Sequence, residues 1–193
     1  PAHQWRAKFG SGRTFDMAGI FSASSFRTLG TAATPQNLLT IENIDATKLI
    51  TIRRLTVQMD ATAVLVSVMP QVKASRATAV PTGGTVLAKA QFDTGNASNA
   101  NSIVRGGTAS DGGVATAITS TAGTTIWQQY TMRMHTVVGQ VLGVDSNVLP
   151  SLVDTQNLIL RQNQALLVQI VASAGASNPA TNHWFCNIVW EED

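Results

Sequence analysis

His183-Trp184-Phe185-Cys186-Asn187-Ile188-Val189-Trp190-Glu191 is the stretch on which the reading of the fold turns. Trp184, Cys186, Ile188 and Trp190 fall at alternate positions, so in an extended chain they share one face. Working back, a loop over residues 174–182 contains Gly175 and Pro179. Before it, residues 165–172 are apolar on both faces except at Gln169, the pattern of a central strand covered on both sides. That run is preceded by Leu158-Ile159-Leu160 and a tight polar turn, Arg161-Gln162-Asn163-Gln164.

The same texture extends upstream to Leu38. Val64, Val66 and Val68 share a strand face that Pro70 ends. Across residues 49–59 the apolar phase changes: Ile50 and Ile52 have one parity, while Leu55, Val57 and Met59 have the other. A β-bulge or bend near Arg53 and Arg54 accounts for the change. Pro81-Thr82-Gly83-Gly84 marks a turn before the run 85–92, and Gly-rich loops follow at Gly106-Gly107 and Asp111-Gly112-Gly113. Ile126, Tyr130, Met132 and Met134 share a face opposite Trp127, Arg133 and His135. One or two helical turns fit only within 148–156, where Pro150 limits them. The count is about eight or nine strands at short spacing, the signature of a sandwich, jelly roll or barrel. The expected fold is all-β: a jelly-roll or β-sandwich domain over residues 37–193.

Residues 1–36 read as a separate, irregular N-terminal arm. Trp5, Phe9, Phe15, Phe21 and Phe26 recur at a spacing that is neither helical nor extended, with Gly10, Gly12, Gly19 and Gly30 among them. Each glycine costs a helix about 1 kcal/mol relative to Ala. Such anchors either lie in grooves of a neighbour or pack back on their own domain. Residues 1–30 also carry Arg6, Lys8, Arg13 and Arg27 against Asp16. That excess suits an acidic partner surface, or a solvated arm.

The charged fraction of this 193-residue chain is 12%, against about 25% in ordinary soluble domains. Its surface must be built from Thr, Ser, Asn, Gln and Gly, as at the centre of protein interfaces or on a solvated, hydroxyl-rich sheet. The net charge of +2 gives no global field that would draw the chain onto nucleic acid. The single cysteine, Cys186, can form no internal disulfide and fits a reducing cytoplasm. No run of 18 apolar residues exists to span a membrane, and the N-terminal stretch has no signal-peptide core.

Catalytic and ligand signatures do not emerge. There is no nucleophile elbow, and Cys186 sits mid-strand as an inert thiol. His3, His135 and His183 have no metal-ligand spacing. The acids are scattered singly, and Asp111-Gly112-Gly113 reads as a hairpin turn before it reads as a calcium loop. The Gly pairs lack a phosphate-binding frame. Trp127 and Tyr130 have opposite parity, which argues against a base-stacking platform with Arg133. The expectation is no catalytic residue, no metal, no cofactor, and neither nucleic acid nor membrane as a direct partner. Trp184 and Trp190 stand for the core, for an oligomer axis where subunits meet, or for a carbohydrate-stacking platform.

Laid out this way, the chain resembles the jelly-roll decoration (cement) proteins of tailed bacteriophages. The resemblance covers residues 38–193. It rests on Leu158–Leu160, the polar turn, the apolar strand and the aromatic-acidic ending Trp184 to Glu192, together with the low-charge body and the aromatic arm. It implies a structural virion protein without catalytic residues, made in the host cytoplasm. Such a protein forms homotrimers that sit on the outside of the capsid and clamp neighbouring major capsid proteins. On that basis Trp5, Arg6, Phe9, Arg13, Phe15 and Phe21 are the expected capsid contacts, and Trp127, Arg133 and Trp190 the expected trimer contacts. The alternative is a receptor- or glycan-binding head domain of a phage fibre or spike. A β-sandwich enzyme, which needs paired carboxylates about 5–10 Å apart, and a jelly-roll major capsid subunit complete the set.

Overall fold

The computed structural model describes residues 19–29, 35–60, 66–68, 71–92, 101–108, 117–130, 134–135, 141–144, 158–171 and 182–193. Among them there is no helix, and two antiparallel sheets pack face to face as a β-sandwich. The front sheet has the order β11-β3-β14-β1-β7, with β12 also on β3. These strands are β1 (Gly19–Leu29), β3 (Ile50–Asp60), β7 (Ala90–Gln91), β11 (Val141–Val144), β12 (Leu158–Leu160) and β14 (Asn182–Glu192). The back sheet has the order β6-β8-β2-β13-β5-β9. Its strands are β2 (Gln36–Asn43), β5 (Gln71–Ala77), β6 (Thr85–Val86), β8 (Ser102–Gly106), β9 (Ala122–Tyr130) and β13 (Ala165–Val171). A short ladder joins β4 (Val66–Val68) to β10 (Met134–His135).

The pairing is nested. β1 pairs with β14, β2 with β13, β3 with β11 and β12, β4 with β10, and β5 with β9. The described strands therefore nest as an antiparallel ribbon across the two layers of the β-sandwich, as strands do in jelly rolls. The segment between β5 and β9 departs from the ribbon. It sends β6 and β8 to extend the back sheet beyond β2, and β7 to extend the front sheet beyond β1.

Alternation in the sequence decides which side chains meet between the layers. On β14, Trp184, Cys186, Ile188 and Trp190 are buried and belong to one apolar cluster with Leu55, Val57 and Met59 of β3. The expected phase change is present. Val189 faces Arg54 while Trp190 faces Ile52, which leaves Arg53 as the extra residue of a bulge. The bulge turns Ile50 and Ile52 back into the core, where both are buried. β13 lies between β2 and β5 and is buried from Ala165 to Ile170, as expected of a doubly covered strand.

Two expectations are corrected. Residues 19–29, placed in the irregular arm by the glycine spacing, form β1, which pairs with β14 over its whole length. Aromatics recurring every few residues and flanked by Gly read as irregular only while their partner strand is unseen. Phe21, expected at a capsid contact, is 3% exposed and stacks on Trp190 at a centroid distance of 5.8 Å. The other expected arm contacts, Trp5, Arg6, Phe9, Arg13 and Phe15, lie outside the described residues, as does the possible helix over 148–156.

The turn at 161–164 carries the chain from the front sheet (β12) to the back sheet (β13). Asn163 takes the left-handed backbone there, with φ 60°, a region Asn tolerates better than most residues. Asn43 ties the corner down: its side-chain amide donates to the Leu160 and Lys48 carbonyls, and its carbonyl accepts from the Asn163 N–H at 2.8 Å. At the other side, Gly107 brings the back-sheet chain onto the edge of β1. Its carbonyl accepts the Phe26 N–H at 2.9 Å, and a Cβ at Gly107 would lie 2.3 Å from the Phe26 oxygen. Ser25 completes the seam, accepting from the Gly107 N–H and donating to the Leu38 carbonyl.

Candidate functional site

If even positions of β14 face the core, odd positions face out. On the outer side of the front sheet, Ser24 and Phe26 of β1, Phe185 and Asn187 of β14, and Thr56 and Gln58 of β3 surround a concavity of about 470 Å³. The volume lies within the range of roughly 300–1,000 Å³ typical of small-molecule sites. Gly107 and Thr108 wall it on the β1 side. The cross-strand register creates the site, because Phe26 faces Phe185, Phe185 faces Gln58, and Asn187 faces both Ser24 and Thr56.

Aromatic rings set its apolar part. Phe26 lies 4.9 Å from Phe185 and 5.1 Å from His183 between ring centroids, both pairs tilted. Such tilted pairs place one ring's positive edge against its neighbour's negative face. Phe185 remains 42% exposed. The polar part of the described lining is made of uncharged groups: Asn187 donates to the Ser24 hydroxyl at 2.9 Å, and Thr56, Gln58 and Thr108 stand around it. Cys186 contributes only to the back of this region. Its side chain points inward, is 1% exposed, and burial pushes its thiol pKa far above the usual value.

No protein-family model, no curated protein and no solved structure matches this chain. Its own geometry therefore has to carry the reading. Among the described residues, no group of His, Cys, Asp and Glu is arranged to hold a metal ion, and no helix is long and apolar enough to cross a membrane.

Among the described residues two carboxylates are buried, Glu192 within a set of hydrogen bonds and Glu42 with its Oε2 unpartnered. Glu192 accepts from the Asn101 N–H, the Ser102 hydroxyl and the Trp190 indole N–H, at 2.6, 2.8 and 2.9 Å. It thereby fastens the start of β8 to the end of β14. Glu42, on β2, has its pKa raised by burial, and the positive charge of Arg105 offsets this in part.

The expected oligomer contacts separate. Trp190 is fully buried, stacked on Phe21 with its N–H committed to Glu192, so it belongs to the core and not to a subunit surface. The same burial removes Trp184 and Trp190 as a carbohydrate platform. Trp127 sits on β9, the edge strand of the back sheet, partly buried against the core cluster. Arg133 lies outside the described residues. The sequence reading missed the concavity because it weighed the aromatic face of β14 with the higher apolar content. The signal was on the other parity, where Phe185 stands between His183 and Asn187.

Proposed function

We propose that this chain is a structural virion protein of a tailed phage, a jelly-roll subunit that assembles with copies of itself and binds the outside of the capsid. The observation that carries this reading is the edge strand β9. Its sequence, Ala-Gly-Thr-Thr-Ile-Trp-Gln-Gln-Tyr, contains no charged residue and no proline, and β5 is its one partner among the described residues. Long edge strands of monomers are usually blunted by Lys, by Pro or by bulges, because unpaired backbone groups recruit other chains. The ladder to β5 shifts register near Ser75, but Trp127 to Tyr130 run regularly against Ala74 to Gln71. A regular, uncharged edge is consistent with a strand covered by a neighbouring subunit.

The low charge of the chain supports the same reading, since interface cores are depleted of charge. In this reading the copies, a trimer, meet along β9, and the residues preceding β1, including Trp5, Arg6, Phe9, Arg13 and Phe15, contact the major capsid protein. A ligand that binds only the assembled lattice stabilises it by mass action, and several weak contacts on one trimer add through effective concentration.

The test is immuno-electron microscopy. Antibodies to the purified chain are applied to particles released by cells expressing it from its native locus. Label over capsid shells is expected; particles without label, or label confined to tail fibres, would overturn the proposal.

A further inference from the structure

The concavity on the front sheet has no part in an assembly contact along β9, and its chemistry narrows what it holds. We infer that it binds a neutral saccharide, one sugar ring lying against Phe26 and Phe185 with its hydroxyls on Thr56, Gln58, Asn187 and Thr108.

The lining excludes other classes in turn. Among the described residues that line the site none is ionised, so a phosphate, carboxylate or ammonium ligand would find no counter-charge from them. Desolvating a charge without a partner is strongly unfavourable. A purely apolar ligand would cover the Gln58 amide and the Thr56 hydroxyl and leave them without hydrogen bonds, which also opposes binding. Among the described residues neither the Thr56 hydroxyl nor the Gln58 amide has a hydrogen-bond partner, and both border the concavity. A saccharide satisfies both halves of the site. Its C–H face is weakly positive and suits the negative face of an aromatic ring. Its hydroxyls donate and accept, as the amide and hydroxyl groups of the rim do.

Rigidity favours the same conclusion. Phe26 is held between His183 and Phe185, and its backbone N–H is fixed to Gly107. Asn187 is oriented by Ser24 and the Ala23 carbonyl. The site stands on three paired strands of the sandwich, so little ordering is required on binding.

Saturation-transfer NMR on the full chain tests the assignment, with D-glucose, D-galactose, N-acetyl-D-glucosamine and the anionic N-acetylneuraminic acid as probes. Binding of at least one neutral sugar in the millimolar range is expected. Phe185→Ala and Asn187→Ala should each weaken it by about tenfold or more, while Phe92→Ala, at an exposed site away from the concavity, should leave it unchanged. Melting curves of the variants confirm that the sandwich is intact, and Gln58→Ala offers a second probe of the rim should Phe185→Ala unfold. No binding by any neutral sugar, binding unaffected by these variants, or a preference for the anionic sugar would overturn the inference. None of these results bears on whether the chain labels capsid shells.

Discussion

At the scale of single residues, the protein is organised by which parity of a strand each side chain occupies. Phe21 and Trp190 are opposite one another across β1 and β14 and both are buried. Phe21→Ala should therefore cost about 3–5 kcal/mol in urea unfolding, the usual range for losing a buried aromatic. A surface contact residue would cost well under 1 kcal/mol. Glu192 has the buried side chain with most at stake, since three donors converge on it. Glu192→Ala should cost about 2–3 kcal/mol and speed amide exchange across residues 101–106, which it holds against β14. Glu42 sets a pH dependence of the opposite sign to most carboxylates. Burial raises its folded pKa above the ordinary 4.5, so the folded state binds its proton more tightly than the unfolded state does. Its contribution to stability is then greatest in acid and declines as pH rises from 4.5 through the raised value. Glu42→Gln should remove that decline, leaving the variant at least as stable as the parent at neutral pH, as thermal melts across the acid-to-neutral range would record.

At the scale of elements, turns and edges do what the strands alone cannot. The corner at 161–164 changes sheets on the left-handed Asn163. Asn163→Ala should cost about 1 kcal/mol and Asn163→Gly much less, because only the former adds steric strain at positive φ. On the edge strand, Gln128 is exposed and faces Lys73 of β5. Gln128→Glu places an opposite charge across from that lysine while charging the free edge. It should leave the melting temperature of the isolated subunit near its original value and weaken self-association, a combination that sedimentation can separate. Much at this scale was legible in advance. The alternation over 183–191, the doubly apolar run before it and the phase change at Arg53 each specified a local geometry, because burial on one face repeats every two residues. β1 was not legible, since its glycines and spaced aromatics acquire meaning only against β14, more than 150 residues away in the chain. The concavity was hidden for a related reason: Phe26, Gln58 and Asn187 come together through register, which no single strand encodes.

At the scale of the whole molecule, a nested ribbon closes into two layers, and the insertion between β5 and β9 lengthens both sheets. Its sequence carries few charges, and among the described residues the outer edge of β9 pairs with no strand. Those two features describe a subunit better than a solitary protein, and the account stands on that claim. The most direct measurement is the mass of the purified native chain by sedimentation equilibrium over a range of concentrations. The account predicts a closed assembly at three times the 20.4 kDa of the chain. A single species of 20.4 kDa at every concentration would contradict it.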